Sequence, residues 1–180
     1  MRWLHGFFIA LAAVWIAVGV AMVIAQAARP SWGGERHGMV HLRKGDVDVL
    51  ARTLFGEARG EKRAGMEAVA WVIVNRARRG PPRFPATISE VCKQRWQFTC
   101  WNATDPNSRL CAAVDESTPS FLLALNVATA VLGGMVEDPT KGADHYHTIG
   151  MKTYPDWASK MQLQTVIGKH RFYSEQMKGG

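Results

Sequence analysis

Gly56-Glu57-Ala58-Arg59-Gly60-Glu61 is the stretch on which the rest of the chain is organised. Upstream of it, Val47, Leu50 and Leu54 recur at spacings of three and four, which define one face of a helix. Continuing that stripe by three and then four residues lands on Glu57 and Glu61. Two carboxylates thus stand where the pattern asks for core residues. Gly56 and Gly60 would leave a bare strip of backbone beside them if the helix persists, each at a cost of roughly 1 kcal/mol relative to Ala. Close approach of a bulky ligand is the expected reason. A carboxyl group held partly out of water has a raised pKa. It can then deliver a proton to a leaving oxygen near neutral pH, as glycoside cleavage requires. The competing reading is two solvated charges at a fraying helix end, paired to Arg59, Lys62 or Arg63.

The chain has 180 residues, is 47% apolar and carries a formal charge of +7. That charge suits an anionic polymer or an acidic envelope. The cations are scattered apart from Arg76, Arg78 and Arg79, expected to complement a helix C-terminus. No nucleic-acid-binding motif accompanies them, so a nucleic-acid partner is not expected.

Residues 1–28 are expected to form a signal peptide or membrane anchor. The run from Phe7 to Ala28 holds one polar residue, Gln26, and its length favours an anchor over a cleaved leader. Ala25-Gln26-Ala27 resembles a small-residue cleavage site. The cations that follow the run (Arg29, Arg36, Arg43, Lys44) outnumber those before it. The positive-inside bias therefore opposes export, although large domains override it and export is the expectation. Residues 29–45, rich in Gly, His, Arg and Pro, read as a tether. Residues 46–174 form the main domain and 175–180 a tail.

Within the domain, Asp46 or Asp48 is expected to cap the first helix. A second helix is expected from about Arg63 to Arg78, buried nearly all round, with Gly80-Pro81-Pro82 stopping it. Thr87-Ile88-Ser89-Glu90 is a capping-box pattern. Thr118-Pro119 opens a third long helix, closed by Gly133-Gly134, with a core stripe through Phe121, Leu122, Leu125, Ala128, Thr129 and Leu132. His145-Tyr146-His147 and Val166 to Tyr173 read as short strands. Trp96, Gln97, Phe98, Trp101 and Asn102 suit a saccharide site, where rings stack on sugar faces and amides bond hydroxyls; a disulfide-closed loop whose aromatics plug the core fits any single ring equally well. His145, His147 and His170 could in principle converge on zinc. The helix-borne pair that usually marks zinc hydrolases is missing, so no metal or other cofactor is expected.

Cys92, Cys100 and Cys111 are an odd number. In an exported chain one pair is expected to bridge, with Cys92–Cys100 preferred and Cys100–Cys111 the alternative.

The segment Ala51 to Glu61, the following Gly65 to Arg76, Phe84-Pro85 with Thr87-Ile88, Gln97-Phe98-Thr99 and Ile167 to Tyr173 together resemble the SleB-type cell wall hydrolases, typified by spore-cortex-lytic enzymes. The resemblance covers about residues 46–173. It implies an α+β fold, small and mostly helical, lysozyme- or transglycosylase-like, with a short β-sheet. It also implies cleavage of peptidoglycan glycan strands, as a lytic transglycosylase acting at muramic-acid linkages. The catalytic acid maps onto Glu57. Glu61, Gln97, Phe98, Trp101, Tyr146 and His170 are the substrate-binding candidates. An apolar segment and tether are expected where spore enzymes often carry a separate binding domain, which favours a general envelope or phage-lysis role. Two other functions fit the residues: a Cys/His peptidase or amidase on the peptide stems, and a non-catalytic, membrane-anchored envelope-binding module.

Overall fold

The structure, a computed structural model, describes residues 40–175. These residues form helices α1 (Asp46–Ala58), α2 (Arg63–Arg79), α3 (Ile88–Lys93), α4 (Asn107–Ala113) and α5 (Pro119–Leu132). Strands β1 (His145–Thr148), β2 (Gln162–Ile167) and β3 (His170–Ser174) make an antiparallel sheet in the order β1-β3-β2. Single 3₁₀ turns lie at Thr99–Trp101 and Asp156–Lys160. The fold is therefore mixed and mainly helical, as expected. The apolar run from Phe7 to Ala28, most of the tether and the tail beyond Glu175 lie outside the described residues. Among the described residues no helix is long and apolar enough to cross a membrane.

Helix α2 is the central element because its sequence is apolar on every side. Met66, Val69 and Ile73 join Leu50 and Leu54 of α1 and Phe121, Val127 and Val131 of α5 in the main core. Ala68 and Val72, on the other side of α2, meet Ala143 and Phe172 of β3. One helix thus glues the helical layer to the sheet. Pro119 occupies the first helical position of α5, where its missing N–H costs nothing. Leu122 and Thr129 of the expected α5 stripe are exposed; the buried face runs instead through Phe121, Ala124, Val127, Ala128 and Val131.

Polar side chains inside the fold tie loops to helices. The N-cap of α1 is Gly45, not an aspartate. Asp46 accepts from the Arg43 N–H and from Ser89, joining the start of α1 to α3. At α3 Thr87 caps the helix as expected, its Oγ1 accepting from the Glu90 N–H at 3.3 Å, while the Glu90 carboxylate accepts from the Thr87 hydroxyl at 2.7 Å and not from its backbone N–H. Asn75 Nδ2 donates to Asp138 Oδ2 at 2.8 Å and to the Ala143 carbonyl at 3.0 Å. Asp138 also receives the Thr140 and Gly142 N–H groups, so Asn75 holds the turn that launches β1.

The expected dipole-complementing cluster divides. Arg76 is buried, donating from Nε to the Asp144 carbonyl at 2.7 Å, with its guanidinium over the rings of Phe84 and Phe98. Arg79 pairs with the buried Asp144 at 3.1 Å. Both serve loop anchoring, because the chain after α2 folds back across the end of that helix. The expected strand from Val166 to Tyr173 is in fact a hairpin: Gly168, at φ +57°, turns the chain between β2 and β3, a conformation glycine adopts without strain.

Asn75→Ala should destabilise the domain by about 2 kcal/mol, since it strands buried partners as well as opening a small void. Urea unfolding of the two proteins measures the difference.

Candidate active site

The last turn of α1 carries the site. Leu54 and Phe55 are buried, with Phe55 edge-on to Phe121. Gly56 faces the Thr99–Trp101 turn and α4. A Cβ at Gly56 would lie 2.6 Å from Cys100 Cβ and 3.2 Å from Cys111 Sγ. The bare strip expected to admit a ligand is thus covered by the protein at Gly56. Gly60 has nothing within 4 Å of its missing Cβ and follows the helix end at Ala58. The helix does not persist to Glu61, so the two glycines have separate explanations.

Glu57 follows directly. Its Oε1 is buried without a hydrogen-bond partner, while the Thr99 and Cys100 backbone N–H groups face the carboxylate. Burial raises its pKa above the ordinary glutamate value. The two N–H groups pull the other way and the Asp105 charge adds to the rise, so the net shift is upward. This is the environment expected of a proton donor.

The turn facing Glu57 is clamped from several sides. Phe98 is 1% exposed and sits in the core. The Trp101 indole N–H donates to Thr53 Oγ1 at 2.9 Å, and Lys93 lies over the Trp101 ring. Beyond the turn, Asp105 accepts the Asn107 N–H at 2.7 Å, and Arg59 donates to Asn107 Oδ1 at 2.9 Å. The end of α1 is thereby fastened to the start of α4.

From the sheet, Tyr146 reaches the same site. Its phenol feels the charges of Glu57 and Arg76, and burial pushes its pKa above the usual tyrosine range. Its ring stacks on Phe172 and meets His170 edge-on. Gln97 is exposed, its Oε1 receiving Arg76 Nη1 at 3.1 Å. That bond leaves the Gln97 amide N–H₂ for another partner. Glu61 sits over the β2–β3 turn, where Oε2 accepts the Lys169 N–H at 3.4 Å and presses against Gly168. His170 is buried with Nδ1 unpartnered; burial lowers its pKa, and Glu61 opposes that shift.

The structure therefore brings Glu57 and Tyr146 together, with Gln97 linked through Arg76, and sets Glu61 and His170 at the neighbouring hairpin. Phe98 acts differently from the expectation, whereas Trp101 is only partly buried. Phe98 is a core side chain and cannot offer its ring to a sugar, and Trp101 spends its N–H on Thr53. The Cys92–Cys100 bridge is not formed: Cys92, Cys100 and Cys111 are buried free thiols, and Cys100 lies against Cys111. The reason is α4, which sequence reading did not foresee and which delivers Cys111 to Gly56. His145 and His147 share one face of the sheet, where they bond Asp144 and Tyr173. Thr148 pairs with His170, which puts His170 on the other face. Among the described residues no group of three or more His, Cys, Asp or Glu side chains could hold a metal ion.

Two site residues escaped the sequence reading. Arg76 stands three residues after Ile73 on the core stripe of α2, and that placement could have marked it as buried. Asp105 stands beside Pro106 and Asn107, a composition that marks a turn and nothing more.

Comparison with known proteins defines the class. The cell wall hydrolase family matches residues 60–173, and this chain belongs to that family. Spore cortex-lytic enzymes of Halalkalibacterium halodurans and Bacillus cereus are each 33% identical to it, over 71% of this chain. The matches cover 34% and 43% of those proteins, so the chain spans well under half the length of these relatives. The catalytic domain of the Bacillus cereus SleB protein superposes with a TM-score of 0.56 at 25% identity, covering 79% of this chain and 99% of that domain. The catalytic domain of the germination-specific lytic transglycosylase SleB from Bacillus anthracis gives 0.57 at 28% identity, covering 74% and 97%.

Gly56→Ala should cost about 1–3 kcal/mol, because the new methyl meets Cys100 Cβ, which the backbone fixes in place. Gly60→Ala should stay within about 0.5 kcal/mol of the parent. Thermal unfolding of the two variants tests the contrast.

Proposed function

We propose that this domain cleaves the glycan strands of peptidoglycan as a lytic transglycosylase, with Glu57 as its single acid/base. The observation that carries this reading is the half-buried Glu57 carboxyl, raised in pKa, with one oxygen unpartnered. Membership of the cell wall hydrolase family and the likeness to a lytic transglycosylase domain support it.

The chemistry follows from that carboxyl group. Protonated Glu57 gives its proton to the glycosidic oxygen as the bond to the muramoyl anomeric carbon breaks. Positive charge develops on the sugar ring. The carboxylate left behind, now facing the Thr99 and Cys100 N–H groups, takes the proton from the muramoyl 6-hydroxyl. That oxygen attacks the anomeric carbon and closes an anhydro ring, so no water is consumed. The Gln97 amide and Tyr146 phenol are placed to bond substrate hydroxyls. Glu61 acts as a positioning residue: by holding the Gly168–Lys169 turn it fixes His170, and through it the edge of Tyr146.

The Cys/His peptidase reading meets an obstacle. A nucleophilic cysteine needs a lowered pKa, and burial pushes Cys92 up to about 12 and raises both Cys100 and Cys111. On localisation, the reading places the domain in the cell envelope, exported or anchored through residues 1–28.

Glu57→Gln should lower cleavage of purified sacculi by at least ~10³-fold, in line with the loss of a general acid. Mass spectrometry of the parental products should show anhydromuramoyl ends; reducing ends one water heavier would make the enzyme a hydrolase. The same variant should unfold at or above the parental temperature at neutral pH. A carboxyl whose folded pKa is raised binds its proton more tightly when folded, so stability falls as pH rises through the folded value, and Gln removes that penalty. Asp105→Asn should shift the alkaline limb of kcat/KM to lower pH, because the Asp105 charge helps hold the proton on Glu57. An unmoved limb would remove Asp105 from the account.

A further inference from the structure

Cys100 and Cys111 are buried side by side, 3% and 2% exposed, and both sulfurs rest on the Cα of Gly56. A Cβ built there would be 2.9 Å from one Sγ and 3.2 Å from the other. The two thiols share a hydrogen bond. Cys92 is fully buried on α3 with Thr53 as its hydrogen-bond neighbour, and it is not part of this pair. The proposed acid chemistry does not use either thiol.

We propose that Cys100 and Cys111 are joined by a disulfide in the mature enzyme, a covalent clasp across the segment that carries Asp105. The proposal rests on the envelope reading above only in so far as it needs an oxidising compartment. The step is an exchange. One thiolate attacks a disulfide of an oxidant, either a small disulfide such as oxidised glutathione or the disulfide of a thiol oxidoreductase. A mixed disulfide forms, and the second thiolate displaces the oxidant's sulfur. Two thiol hydrogens leave with the two reduced sulfurs of the oxidant. Burial raises both thiols and slows attack in the finished fold, so the bond forms while the loop is still open during folding.

The clasp has a structural consequence. Cys100 is the residue whose backbone N–H faces Glu57, and Cys111 lies on α4, whose last carbonyls receive Arg52 Nη1 from α1. Joining the two pins the wall of the acid's site to the middle of α1, at Arg52, and to its last turn, at Gly56.

The test is a thiol map and does not depend on activity, so it stands apart from the glycan-cleavage reading. The full chain is refolded with a glutathione redox buffer, unfolded in denaturant with excess iodoacetamide, and digested with trypsin. Cleavage after Arg109 separates the peptide holding Cys100 from the one holding Cys111 unless a bridge joins them. The expected result is that joined pair, with Cys92 alkylated. Alkylation of all three cysteines, or Cys92 in the joined peptide, overturns the proposal. As a second readout, the oxidised parent should melt roughly 5–10 °C above the reduced parent. Cys92→Ser should keep that difference and Cys111→Ser should abolish it. Should Cys111→Ser fail to fold, comparison of the parent with and without reductant decides, and equal melting points count against the clasp.

Discussion

The approach of the Cys100 backbone to Gly56 sets the position of everything around the candidate acid. A methyl group at Gly56 would stand 2.6 Å from Cys100 Cβ, closer than carbon atoms pack, so only glycine allows the Thr99–Trp101 turn to seat there. Glycine in a helix interior costs roughly 1 kcal/mol. The contact it permits offsets that cost, because the turn is also fixed by Phe98 in the core and by the Trp101 bond to Thr53. With the turn seated, two backbone N–H groups face Glu57 without any side chain being spent on the task.

The same approach explains which parts of the sequence were readable. The Val47, Leu50 and Leu54 stripe and the all-round apolar pattern of α2 report burial directly, and both helices formed with nearly the expected bounds. Thr87 with Glu90 and Thr118 with Pro119 are local signals, and both placed a helix start. Glu57 was legible because a carboxylate on an apolar stripe is a local contradiction. The partners of Glu57 were not, since Thr99, Asp105 and Tyr146 reach it through tertiary contacts that leave no periodic trace. Aromatic residues gave the weakest guide. Phe98 looked like part of a sugar platform, yet a ring carries no mark of whether it faces a ligand or a core. The cysteines misled for a related reason: proximity in sequence favoured Cys92 and Cys100, whereas the seven-residue helix α4 brings Cys111 to the same glycine.

Glu61 shows how a motif residue can be well placed for a reason other than the one its spacing suggests. On a continuous helix it would have stood beside Glu57. The chain instead turns after Ala58, and the carboxylate reaches the β2–β3 hairpin, where Gly168 leaves it room. The second acid of the box thereby adds a polar contact between the helical layer and the sheet, beside the apolar one made by α2. Under the proposed mechanism, a change at Glu61 reaches the site through His170 and Tyr146, not through direct proton transfer.

A single acid that must first give and then take a proton faces opposing demands. Desolvation alone would favour the protonated form and leave the carboxylate too costly to serve as a base. N–H donors alone would favour the carboxylate and leave no acid to protonate the leaving oxygen. Glu57 has both influences at once: burial and Asp105 raise its pKa, while the Thr99 and Cys100 N–H groups lower it. The opposing contributions come from different elements, since the N–H donors belong to the turn held at Gly56 and the Asp105 charge to the loop that follows. Under the proposed mechanism that separation has a purpose. The turn stabilises the state reached after the first proton transfer, the buried setting stabilises the state before it, and neither requires a second carboxylate across the site.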